Sequence, residues 1–108
     1  MPENSNKIQE IQILEQNLHN LLFQKQAFQI ELAETESALK ELKSSGDEIF
    51  KVIGQLMIKT DKKKTLEELS KKKELLELRI KAIEKQESAF SNRINELREE
   101  MLSKNKNK

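Results

Sequence analysis

The 108-residue sequence has no cysteine, no tryptophan and no tyrosine, one proline and two glycines. Without cysteine it can form no disulfide and offer no thiolate, which fits a reducing compartment. Four phenylalanines are the only aromatic residues, and there is a single histidine, His19, with no second histidine to share a metal. No apolar run is long enough to span a bilayer, and no signal-peptide core follows Met1. Nor is there a glycine-rich phosphate loop. Charge of one sign is missing as well: Lys and Arg number 20 against 19 for Asp and Glu, so no long-range field draws nucleic acid or an anionic membrane. Carboxylates are plentiful, but no pocket-forming core is available to desolvate one and raise its pKa. These absences argue against an enzyme, a cofactor or a metal centre. They point to a soluble, cytoplasmic protein with neither nucleic acid nor membrane as partner.

What is present is charge, 36% of the chain, interleaved with apolar residues at steps of three and four. That is the profile of long helices with solvated faces. In the first half, heptad position a falls on Ile11, Leu18, Lys25, Leu32 and Leu39, and d on Leu14, Leu21, Phe28, Thr35 and Leu42. In the second half, a falls on Leu66, Lys73, Ile80, Glu87, Ile94 and Met101, and d on Leu69, Leu76, Ile83, Phe90 and Leu97. Both are coiled-coil seams. The expected layout of the single unit 1–108 is a helix over 7–44, a β-hairpin over 49–60, a second helix over 61–103 and a polar tail at 104–108. Asn6 is expected to cap the first helix, about 55 Å long, and Gly46 to end it. Thr65 with Glu68 reads as the capping box of the second. Asp61 is the rival cap, set against by the three lysines it would place at the positive end of the helix dipole.

The two seams match one another in an antiparallel hairpin whose facing residues have numbers adding to 108, such as Leu39 with Leu69 and Leu14 with Ile94. In that register Lys25 faces Ile83 and Leu21 faces Glu87, and a shift by one heptad is left open. Lys62–Lys64 and Lys71–Lys73 alternate with Glu67, Glu68, Glu74 and Glu77 as a solvated face. Off the seam, Ile8, Ile13, Leu22, Phe23, Ile30, Leu75, Leu78 and Leu102 are expected at solvent-facing positions. Near the chain ends Ile8, Ile11, Ile13, Leu14, Ile94, Leu97, Met101 and Leu102 gather at one tip. Where a coil frays, these offer an adaptable apolar surface, with Met101 the most flexible.

The remaining segment, Ile49-Phe50-Lys51-Val52-Ile53-Gly54-Gln55-Leu56-Met57-Ile58-Lys59-Thr60, lacks helical spacing and is rich in β-formers. A three-residue turn, Ile53-Gly54-Gln55, sets Val52 against Leu56 and Phe50 against Ile58, giving one apolar face. Ile49, Lys51, Met57 and Lys59 share a mixed one. The pairing shifted to add to 110 opposes Lys51 and Lys59 and is disfavoured. A lone two-stranded hairpin is marginal in water and open at both edges, so it needs strands from other chains. The set to be covered is Ile49, Phe50, Val52, Ile53, Gly54, Leu56, Met57 and Ile58.

Two heptad helices interrupted by this hairpin, with Leu66-Glu67-Glu68-Leu69 through Leu76-Glu77-Leu78-Arg79-Ile80 in the second helix, resemble β-type prefoldin subunits, archaeal or eukaryotic. The resemblance spans about residues 8–102, and the connector has room for one hairpin, as in the β class. It implies a heterohexamer of two α-type and four β-type subunits, whose hairpins form a double β-barrel from which six coiled-coil tentacles hang. Phe50, Val52, Leu56 and Ile58 would build the barrel. The family acts as an ATP-independent holdase that captures unfolded proteins at the tentacle tips and passes them to a group II chaperonin. The lysine and asparagine end of this chain departs from that pattern, so client contact is expected before Ser103. The alternative is a coiled-coil tether that docks one folded partner through the hairpin.

Overall fold

The computed structural model describes the backbone of residues 2–106 and the side chains of residues 4–103. In chain order it consists of α1 (Pro2–Ser44), β1 (Glu48–Ile53), β2 (Leu56–Asp61) and α2 (Lys62–Lys106). The helices follow the heptads closely. Every a and d position from Ile11 to Leu42 and from Leu66 to Met101 is buried or half-buried, and nearly every residue between them is exposed. The chain divides into two compact units, one of residues Met1–Gln26 with Lys81–Lys108, the other Ala27–Ile80.

In the first unit Leu21, Ile83, Ile94 and Leu97 are buried, Leu97 completely. The helices run antiparallel there, as the ion pairs beside the seam require. Glu10 Oε1 accepts from Arg93 Nε at 3.1 Å, and Glu15 Oε1 from Arg98 Nη2 at 2.8 Å. Glu10 and Arg93 are both g positions, Glu15 and Arg98 both e positions. Such flanking charges fix orientation and partner more than they add stability, since exposed ion pairs are worth about 0–1 kcal/mol. They bracket the expected register, from which a one-heptad slip would displace each partner by about 10 Å.

Lys25 and Glu87, expected opposite Ile83 and Leu21, reach diagonally to each other, Nζ to Oε1 at 2.8 Å. The Glu87 hydrogen bond, opposed by partial desolvation, holds the Lys25 ammonium above its ordinary range. The long lysine stem makes the diagonal possible, which strict layer pairing does not anticipate.

In the second unit Leu39, Leu76, Ile80 and Ile49 are buried. Thr35, the one buried polar residue among those described, donates its hydroxyl to the Glu31 carbonyl at 2.8 Å and so costs little. Lys72 pairs with Glu31 across the helices at 3.1 Å, and the Arg79 guanidinium lies 5.6 Å from the centre of the Phe28 ring, a cation–π contact.

All four helix ends depart from the sequence reading. The first helix already runs at Pro2, upstream of Asn6, because proline lacks only an N–H that the first turn leaves free. It ends without a left-handed glycine cap: Gly46 has no positive φ. The Ser44 and Ser45 hydroxyls take the last carbonyls instead, donating to Glu41 at 3.1 Å and Leu42 at 2.8 Å. The cap of α2 is Asp61, whose Oδ1 accepts from Lys63 N–H at 3.2 Å, while Thr65 bonds back to the Asp61 carbonyl at 2.8 Å inside the helix. Of the three lysines at the start of α2, Lys62 turns back, and its Nζ donates to the Ser45 carbonyl at 2.7 Å. Its charge lies at the negative end of α1 rather than over the start of α2. At the far end α2 continues to Lys106, past the expected start of the polar tail at residue 104. Residues 107 and 108 lie outside the described residues.

Candidate functional site

The hairpin pairs antiparallel as Glu48↔Asp61, Ile49↔Thr60, Phe50↔Lys59, Lys51↔Ile58, Val52↔Met57 and Ile53↔Leu56. The turn is therefore the two residues Gly54-Gln55, not the three expected, and every cross-strand pair shifts. Gly54 has φ +59°, and among the described residues no other has positive φ. A two-residue type II′ turn needs a glycine-like conformation at its first central position and matches the twist of the strands. A three-residue loop follows a type I turn with its left-handed residue, which here would fall on Gln55. Glycine one place too early decides the register. It also parts the two lysines, since Lys51 now faces Ile58 and Lys59 faces Phe50.

The corrected register gives the hairpin two apolar faces instead of one. Ile49, Lys51 and Ile53 share the first with Leu56, Ile58 and Thr60. Its stem end packs against the start of α2: Ile49 is buried, the Thr60 and Thr65 hydroxyls are 3.3 Å apart, and Lys51 reaches Glu68 at 3.9 Å. Phe50, Val52 and Met57 make the second face, rimmed by the Glu48–Lys59 pair at 3.4 Å. Phe50, Val52, Ile53, Leu56, Met57 and Ile58 are all exposed, from 45% for Ile58 to 70% for Met57. Burying one such side chain is worth roughly 1.5–3 kcal/mol, so this small sheet holds a large stabilisation that the single chain does not realise. The two strands are the whole sheet, and each keeps an unpaired edge able to accept another strand.

The second candidate surface lies in the first unit, where Lys7 Nζ pairs with Glu100 at 3.3 Å and joins the start of α1 to the end of α2. The expected tip residues fall into three groups there. Ile8, Ile13 and Leu102 are exposed, at 45%, 62% and 59%. Ile11, Leu14 and Met101 are half-buried. Ile94 and Leu97 are core, and they become surface only where the seam opens. A shallow groove beside them is lined by Lys7, Glu96, Glu99, Glu100 and Ser103. Among the described residues no three His, Asp or Glu side chains converge as a metal site would need, and no helix is long and apolar enough to cross a membrane.

Heptad helices joined by a hairpin that is apolar on both faces define an assembly subunit, a class that works through its surfaces. The prefoldin subunit family matches residues 5–108, and the chain belongs to it, as a subunit of β type. It is 44% identical over 85 residues to the prefoldin subunit beta of Thermococcus onnurineus, covering 77% of this chain and 73% of that one. With the Methanothrix thermoacetophila subunit the identity is 34% over 102 residues, covering 93% and 85%. The crystal structure of the prefoldin beta subunit from Thermococcus strain KS-1 superposes with a TM-score of 0.87 at 34% identity, covering 95% of this chain and 92% of that one. The family is one of non-enzymatic chaperone cofactors whose β subunits form hetero-oligomers with α subunits, and this chain is a chaperone subunit of that family.

Proposed function

We propose that the chain is one of four β-type subunits which, with two α-type subunits, close their hairpins into a shared β-barrel. In the cytoplasm the assembly holds unfolded polypeptides without ATP and passes them to a group II chaperonin. The observation that carries this reading is the hairpin: six large apolar side chains exposed on two faces of a sheet with both edges unpaired. Further strands satisfy the edges, and neighbouring hairpins cover the faces. Ile49, set in the stem, orients the hairpin on α2, while Phe50, Val52, Ile53, Leu56, Met57 and Ile58 supply the contacts between subunits.

Client contact falls to Ile8, Ile13 and Leu102, with Ile11, Leu14 and Met101 beside them and Ile94 and Leu97 joining only as the coil opens. A few partly buried aliphatic groups bind at about millimolar strength once association entropy is subtracted. Several tips held together raise the effective concentration while each contact still releases quickly.

The test is dilution of a denatured protein into buffer containing the chain and an α-type subunit, followed by light scattering. The wild-type assembly suppresses scattering. The triple variant Ile8→Ser, Ile13→Ser, Leu102→Ser assembles normally and protects less. Equal protection by both assemblies would remove the tip assignment. Stoichiometric binding of one folded protein, with no protection of unrelated unfolded ones, would favour a tether instead.

A further inference from the structure

The longest stretch of the chain without Asp, Glu, Lys or Arg is Gln16–Gln24, nine residues. The next longest is Val52–Ile58, seven residues, in the hairpin. Loss of charge in a chain that is 36% charged thus marks the assembly surface, and it marks a second place on α1, within the first unit. There Leu18 and Leu21 serve the seam, and the other residues of the run are exposed. Phe23 is 60% exposed and Leu22 40%. The His19 ring meets the Phe23 ring edge to face, with centroids 4.7 Å apart, holding the phenyl group on the helix surface. Around them stand the carboxamides of Gln16, Asn17, Asn20 and Gln24, with Gln16 Nε2 3.5 Å from Asn20 Oδ1.

We infer that this neutral face of α1 is a second contact site for an extended, non-native polypeptide. The inference rests on the proposed holdase role. On α2 the exposed positions are mostly charged. A surface that selects one folded partner uses charge to steer it and exclude others. Phe23, Leu22 and the carboxamides do neither. Apolar groups accept side chains, and amides can both donate to and accept from a peptide backbone whatever its sequence. Such a face accepts acidic and basic segments alike. Phe23 lies ten residues along α1 from Ile13, about 15 Å at the helical rise, a gap that roughly five extended residues bridge. One client segment can therefore touch both places, and the second contact forms at high effective concentration.

The absence of cysteine permits a direct test. In the full-length chain assembled with an α-type subunit, Asn20→Cys, beside Phe23, and Gln9→Cys, beside Ile8 and Ile13, are each labelled with an environment-sensitive bimane. Reduced, carboxymethylated α-lactalbumin, which stays unfolded, is added, with the native protein as control. The inference predicts a blue shift at both labels with the unfolded probe alone. It also predicts a roughly three- to tenfold loss of probe affinity in Phe23→Gln. A response at residue 9 without one at 20 overturns the inference and leaves the holdase role standing. Silence at both overturns both. An equal response to the native protein, or a shift at 20 on adding unlabelled chain alone, overturns the inference in favour of a folded partner or a second copy.

Discussion

Lys25 and Glu87 occupy seam positions that a two-helix coil fills most stably with apolar groups. Their mutual bond satisfies both, but only in one register, and a polar seam pair of this kind trades stability for a unique alignment. The heptad pattern shows both residues as breaks in the seam. That they meet depends on the reach of the lysine and cannot be read from spacing alone. Because pairing raises the Lys25 pKa above its ordinary 10.5, the pair's contribution is complete below that pH. It is lost as pH rises through the raised value. In Lys25→Arg the pairing charge persists into stronger base, so melting temperatures measured from pH 9 to 11.5 should fall less steeply than in wild type. Identical slopes would show that the pair does not contribute. Burial makes a second residue-scale contrast: Leu97→Ala should cost about 2–5 kcal/mol by urea denaturation, and Ile13→Ala, exposed on the same helical segments, within about 0.5.

At the level of elements, the helices and the hairpin's place between them are legible in the sequence because periodicity reports burial directly. The fine geometry of the ends is less so. Thr65 and Gly46 carry good cap signatures, yet Asp61 and two serines cap instead, because Lys62 ties the start of α2 to the end of α1. That contact is tertiary. The hairpin register turns on a local detail, the loop length, which one residue's φ decides. Leu56 and Ile58 therefore lie on the opposite face from Phe50 and Val52. Replacing Gly54 with alanine meets open space but a left-handed backbone, and should cost about 1–2 kcal/mol. The loss should appear as faster amide exchange across β1 and β2, with α1 and α2 unchanged. Equal exchange in both proteins would mean that Gly54 does not hold the turn.

For the molecule as a whole, seam phase read from the sequence already sorts the tip: Ile8 and Ile13 fall off the seam and are exposed, while Ile94 and Leu97 fall on it and are buried. The hairpin is the stronger statement, because its apolar groups are exposed in quantity and on both faces. Sedimentation of the chain mixed with excess α-type subunit tests it most directly, with the double variant Val52→Lys, Met57→Lys as comparison. Wild type should run as a single hetero-oligomer containing both subunits. The variant, helical to the same extent by circular dichroism, should fail to join it. A wild-type chain that stays monomeric beside its α-type partner, or a variant that assembles as well as wild type, would contradict the account.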